Sequence, residues 1–148
     1  MAKKPLPQPI KIAIFAVVIL AFYFGNNAVQ THLGETALAE TGLTIHSLEE
    51  AKLIAQSENK LILADLSAIW CPSCRHLDRD VLSDPTVKAA IDSKYVFARI
   101  EYDSPEGTAF AETYEVKGFP NILILDSKGE KQRQLATPVD PLEFVKQL

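Results

Sequence analysis

The sequence predicts an α/β sandwich, a mixed central sheet flanked by helices, behind an N-terminal transmembrane helix. Three observations predict it. Short apolar runs alternate with helical patterns from Leu43 onward, a Cys-X-X-Cys pair directly follows one of those runs, and Ile12 to Phe24 are all apolar or aromatic. With 148 residues, 47% of them hydrophobic, the chain has material for one ordinary core. Three of its fifteen cationic residues precede the apolar run. The other twelve face all nineteen carboxylates, a formal net of −7. That balance excludes a nucleic-acid surface.

As a helix, Ile12 to Phe24 spans about 20 Å, short of the ~30 Å hydrocarbon core. Pro9 to Lys11 and Gly25 to Ala28 extend it to bilayer length, with Lys11 snorkelling to the interface. Phe22, Tyr23 and Phe24 then lie near the far interface, where aromatic rings are favoured. Lys3, Lys4 and Lys11 precede the span and no lysine follows until Lys52, which keeps the N-terminus cytoplasmic and the remainder outside. A cleaved signal peptide is the competing reading. Its clear Ala-X-Ala cut, Ala37-Leu38-Ala39, stands far beyond Phe24. Both readings place the cysteines where disulfide chemistry is at home. The expected organisation is therefore a basic stub over 1–11, an anchor over 12–28, a polar tether over 29–42 and a folded domain over 43–148.

Within the domain, Leu43 to His46 alternates as a short edge strand does. Ser47-Leu48-Glu49-Glu50 is a capping box opening a helix to about Glu58. Leu61 to Leu66 reads as a buried strand. A helix from Pro72 puts Cys74, Leu77 and Val81 on one face, and Asp84-Pro85 breaks and restarts it. Tyr95 to Tyr102 is the next strand. Ser104-Pro105 opens a helix carrying Phe110 and Tyr114 one turn apart, with Gly118 placed to end it. Asn121 to Asp126, the turn Ser127-Lys128-Gly129 and Glu130 to Leu135 form a hairpin, and Lys131 and Arg133 suit an exposed edge. Asp140-Pro141 starts the final helix.

The chemistry centres on Trp70-Cys71-Pro72-Ser73-Cys74, which holds the chain's only two cysteines. Thiols with two residues between them close into a disulfide and reopen without large chain movement. Pro72 at the first helical position loses no needed N–H, and the unpaired N–H groups beside it favour negative charge on Cys71. A free thiol of pKa ~8.5 is mostly protonated at neutral pH, whereas helix-start sites of this kind fall to roughly 3.5–7.5. Cys71 is thus the expected nucleophile, exposed at the helix tip, and Cys74 the resolving thiol one turn in. Zinc wants four Cys or His ligands, and His32, His46 and His76 are scattered. A c-type haem needs His after the second Cys, where Arg75 stands. An inert disulfide closing so small a loop adds little. No metal and no cofactor beyond the Cys71–Cys74 dithiol is expected.

From Thr41 to Leu148 the chain resembles the thioredoxin superfamily. The resemblance rests on Trp70-Cys71-Pro72-Ser73-Cys74, on Asp65 six positions before the first cysteine, and on Gly118-Phe119-Pro120 before the hairpin. The run Ala68 to Ile91, with Ser83-Asp84-Pro85-Thr86-Val87, looks most like the C-terminal periplasmic domains of transmembrane thiol:disulfide interchange reductases. The resemblance implies a thioredoxin-like fold and roles for particular residues. Asp65 would pass protons to and from Cys74, and a lone carboxylate on a buried strand is expensive to ionise. Asp78 would join that proton network, the competing reading being a surface carboxylate. Pro120 would be a cis proline facing the dithiol, so that an extended substrate segment lies beside Phe119. Trp70, Pro72 and Phe119 are the candidate substrate contacts, with Trp70 either a lid over the thiols or core. Arg75 and His76 either add positive potential near Cys71 or form a solvated face.

The resulting expectation is a membrane-anchored thiol:disulfide oxidoreductase of the bacterial inner membrane, its domain in the periplasm. It would reduce disulfides of partner proteins and receive electrons from a separate membrane donor. A disulfide oxidant or isomerase is the alternative in direction, and a non-catalytic subunit of a membrane complex the alternative in class.

Overall fold

The computed structural model describes residues 7–137 and 140–148; Lys3 and Lys4 of the basic stub lie outside them. Helix α1 runs unbroken from Gln8 to Glu40. It is long and apolar enough to cross a membrane, with a mean hydropathy of 2.0 over an apolar window none of which is buried. The polar stretch expected as a tether, 29–42, is helical as far as Glu40. Tertiary packing accounts for the difference. Gly34 and Ala37 are buried, and a Cβ on Gly34 would stand 1.8 Å from the Ile69 carbonyl oxygen. Only a glycine lets the helix come that close. One turn earlier, the Arg75 guanidinium donates to Gln30 Oε1 at 2.7 Å.

Helix α2 (Leu48–Glu58) opens on the capping box, with Glu50 N–H on the Ser47 hydroxyl and Ser47 N–H on the Glu50 carboxylate. Strand β1 (Leu61–Ser67) follows, then α3 (Pro72–Leu77) and one π-helical turn (Asp78–Leu82). The Ser83 N–H reaches back to the Asp78 carbonyl at 3.0 Å, closing that wider turn. Asp84 caps α4 (Pro85–Lys94), its carboxylate accepting from the N–H groups of Thr86 and Val87. Strand β2 (Tyr95–Glu101), α5 (Pro105–Thr113), β3 (Asn121–Leu125), β4 (Lys131–Gln134) and α6 (Pro141–Gln147) complete the order.

The sheet order is β2-β1-β3-β4, with β1 parallel to β2 and antiparallel to β3. Among the described residues the expected edge strand at Leu43–His46 is a single bridge, His46 with Ala98. The His46 N–H and C=O pair with Phe97 and Arg99, and the chain then turns into the cap of α2. Helix α5 ends at Thr113 rather than at Gly118. Glu115 takes the left-handed conformation instead, and Gly118 (φ 77°) turns the loop that delivers Phe119. At the start of α5, Gly107 packs so tightly that a Cβ would lie 2.2 Å from the Glu101 carbonyl oxygen.

Side chains alternate along β1. Ile62, Ala64 and Leu66 meet Ala51, Ala55 and Phe110 on one face. Leu63 meets Leu77, Val81, Val87 and Phe144 on the other. Period two therefore also turns Asp65 and Ser67 toward α3.

Asp84→Ala removes the cap of α4 and exposes two orphan N–H groups. The expected loss is about 1 kcal/mol, read as a lower urea midpoint with unchanged slope.

Candidate active site

Cys71 is the N-cap of α3, with extended backbone, and its sulfur accepts from the Cys74 N–H at 3.3 Å. The Ser73 hydroxyl lies 3.0 Å from the same sulfur. Both thiols are free. The expectation of an exposed nucleophile needs correction, because Cys71 is only 4% exposed. Ala68, Cys74 and Phe119 pack around it, and Phe119 arrives from a loop that spacing near the dithiol does not reveal.

The two sulfurs differ sharply. Burial works against charge on Cys71. Hydrogen bonds from the Cys74 thiol, the Ser73 hydroxyl and the N–H groups of both residues outweigh it and bring the Cys71 thiol below its ordinary value. Cys74 has no exposed surface. Burial first, then its hydrogen bond to Cys71, pushes its thiol up to about 12. One sulfur is poised to attack and the other to hold its proton until needed.

Beneath Cys74 lies a buried polar network. Asp65 and Arg99 are register partners across β1 and β2. Arg99 Nη1 donates to Asp65 at 2.8 Å and to Asp78 at 2.8 Å, and its Nη2 to the second Asp78 oxygen at 3.2 Å. The Ser67 hydroxyl donates to Asp65 at 2.7 Å, and the Ser67 side chain also favours the Cys74 thiolate. Asp65 is thus wholly buried as expected, but it is not a lone carboxylate. Asp78 is buried too, not a surface group, because it lies one helical turn after the buried Cys74 and shares its face. Its carboxyl is raised to about 6, first by burial, which the Arg99 charge only partly offsets, with Asp65 adding to the rise. The Asp65 and Asp78 charges hold the Arg99 guanidinium well above its ordinary value against burial. Arg99 Nε is buried with no partner. Sequence reasoning missed Arg99 and Ser67. The available signal was a lone arginine inside an otherwise apolar strand pattern.

The mouth of the site is aromatic. The Phe119–Pro120 peptide is cis. Phe119 meets Trp70 edge to face at 5.4 Å and Tyr102 at 4.5 Å between ring centroids. Trp70 is 37% exposed, and its indole N–H donates to Asp103 at 2.7 Å. It stands at the rim rather than in the core. Arg75 turns to Gln30 on α1, and His76 pairs with Asp80. Among the described residues no group of three or more Cys, His, Asp or Glu side chains is placed to hold a metal ion.

A parallel–antiparallel sheet with a two-thiol helix tip at the end of its central strand defines a thiol:disulfide oxidoreductase of the thioredoxin kind. The family model described as thioredoxin-like matches residues 44–127, and the chain belongs to that family. It is 27% identical over 142 residues to the thiol:disulfide interchange protein DsbD of Salmonella paratyphi A, a match covering 90% of this chain and 24% of that protein. The chain therefore spans about a quarter of the length of such relatives. Among solved structures, the Thermus thermophilus thioredoxin superposes with TM-score 0.65 at 29% identity, covering 71% of this chain and 83% of that one. The C-terminal domain of Neisseria meningitidis DsbD in its oxidised form gives 0.59 at 26%, covering 70% and 96%.

Two outcomes follow for solution measurements. An alkylating reagent at pH 7 labels Cys71 first, and Cys74, fully enclosed and with its thiol held protonated, reacts far more slowly. For Asp78, the folded state binds the proton more tightly than the unfolded chain between about pH 4 and pH 6. Stability therefore falls as pH rises through that window and levels off above it. Urea denaturation of Asp78→Asn across the same range shows that slope removed.

Proposed function

We propose that this chain is a membrane-anchored thiol:disulfide oxidoreductase that reduces disulfides of partner proteins in the bacterial periplasm. The inequality of the two thiols carries the reading. The Cys71 thiolate attacks one sulfur of a substrate disulfide. The substrate S–S bond breaks, its other sulfur leaves as a thiolate and takes a proton, and Cys71 is left in a mixed disulfide. Cys74 then loses its proton to the network below it, through Ser67 to Asp65 or to Asp78. Its thiolate attacks the Cys71 sulfur, and the substrate departs with both sulfurs reduced. Two electrons have passed from the dithiol, now the Cys71–Cys74 disulfide, and no cofactor takes part.

In this reading Trp70, Pro72 and Phe119 contact the substrate segment, and Pro120 closes the groove beside the thiols. Asp65 and Asp78 handle the proton, with Arg99 positioning both. In this reading electrons return by disulfide exchange with a membrane donor protein, as the likeness to a thiol:disulfide interchange protein supports. The apolar α1 and the likeness to DsbD support the membrane and periplasmic address.

Direction is tested by the redox potential against glutathione. Dithiol proteins span about −270 to −120 mV, and a reductase belongs near the lower figure. A potential near the upper one would make the protein an oxidant. Cys74→Ser, expressed with its membranes, is expected to accumulate mixed disulfides through Cys71 that reductant releases, and the double variant with Cys71→Ser none.

A further inference from the structure

Helix α1 does more than tether the domain. Its side chains are exposed as far as Val29, and burial then starts at Gln30 and recurs at Gly34, Ala37 and Leu38. Those four positions form one helical stripe, which lies on α3 and on the loop ahead of the dithiol. Gly34 abuts the Ile69 carbonyl, and Gln30 Oε1 accepts from Arg75 Nη1 at 2.7 Å. Gln30 is the polar member of the stripe, and its partner is the arginine directly after the resolving cysteine.

Arg75 stands one turn after Cys71, its N–H donating to the Cys71 carbonyl at 3.0 Å. Side chains four apart on a helix are neighbours, and each Cα–Cβ bond leans toward the N-terminus. A long cation at position 75 is therefore aimed by default at the helix tip, where the Cys71 sulfur lies. An opposite charge within about 4–6 Å of an ionising group eases its ionisation by about one to three pH units. Here the guanidinium is drawn to α1 instead, and the leading influences on Cys71 are burial, Cys74 and Ser73. Other charges around the loop have partners of their own. Glu101 accepts from the Ile69 N–H, Asp103 from the Trp70 indole, and His76 pairs with Asp80. Arg99 is divided between Asp65 and Asp78. Arg75 is the cation whose placement α1 decides.

We propose that Gln30 is a positioning residue for the dithiol: by holding the Arg75 guanidinium on α1, it keeps a positive charge off the Cys71 sulfur and the couple toward its reducing end. The inference rests on the oxidoreductase reading above and sharpens its direction. A cation beside Cys71 would stabilise the thiolate, hence the reduced dithiol, and make the couple more oxidising. Withholding that cation also leaves Cys71 more nucleophilic once ionised, because nucleophilicity falls as a thiol becomes more acidic. Helix α1 thus acts on the chemistry through its docked end, whether or not its apolar part crosses a bilayer.

The full chain in detergent micelles is followed by the pH dependence of Cys71 alkylation and by its redox equilibrium with glutathione. Gln30→Ala is expected to lower the alkylation midpoint by about one pH unit. Its equilibrium with glutathione is expected to shift about tenfold toward the dithiol, a potential higher by about 30 mV. Gln30→Glu, which keeps an acceptor for the guanidinium, is expected to retain the wild-type midpoint. Combining Gln30→Ala with Arg75→Gln is expected to restore it, a pattern that loosened packing alone would not produce. An unchanged midpoint in Gln30→Ala, or an equal shift in the double variant, overturns the proposal. If Gln30→Ala does not fold, Arg75→Ala decides. Its midpoint is expected to stay at the wild-type value, and a rise of about one unit means that the guanidinium already acts on the sulfur, which overturns the proposal too. A wild type that exchanges no disulfides defeats the oxidoreductase reading, while the alkylation midpoints still judge Gln30.

Discussion

One guanidinium holds two carboxylates together under the dithiol, and most of the site depends on it. Asp65 and Asp78 come from different elements, and neither has appreciable exposure. Two buried carboxylates facing one another do not both ionise without a cation between them. Arg99 supplies it, with three hydrogen bonds that bind β1, β2 and the π turn into one unit. Removing one partner from such a cluster costs about 3–5 kcal/mol, because the charges left behind stay buried.

The dithiol sits on this base at a helix tip. The geometry gives the two sulfurs opposite characters within three residues. Cys71, as a cap, collects N–H and hydroxyl donors, while Cys74 is enclosed by Ala68, Cys71 and the strand below. Proximity alone does not produce that inequality. It needs Pro72 to start the helix at Cys71, and it needs β1 to end where Ala68 closes the floor.

Much of this was legible in the chain. Caps announce themselves through local chemistry, so Ser47, Asp84, Ser104 and Asp140 marked four helix starts correctly. The three buried strand runs were legible because each is apolar and short. Contacts distant in sequence were not. Nothing near Asp65 announces Arg99, thirty-four positions on, whereas Phe119 was placed beside the dithiol only through the resemblance carried by Gly118-Phe119-Pro120. The helical extension of α1 was hidden for a related reason. Its polar residues look like a linker until Ile69 and Arg75 are placed against Gly34 and Gln30. The edge strand at Leu43–His46 failed because alternation describes a strand's faces and says little about how many pairs it makes.

Gly107 touches no sulfur, yet it packs directly behind the residues that form the aromatic mouth. Its bare backbone lets α5 settle against the end of β2, where Tyr102 and Asp103 leave the sheet. A methyl group there would force the helix outward and carry with it the partners of Phe119 and Trp70. Under the proposed function, discrimination between one client protein and another would then be set partly at a position that no client meets. Retuning this enzyme for new clients would start from the packing behind the aromatic rim, with the Cys-Pro-Ser-Cys segment left unchanged.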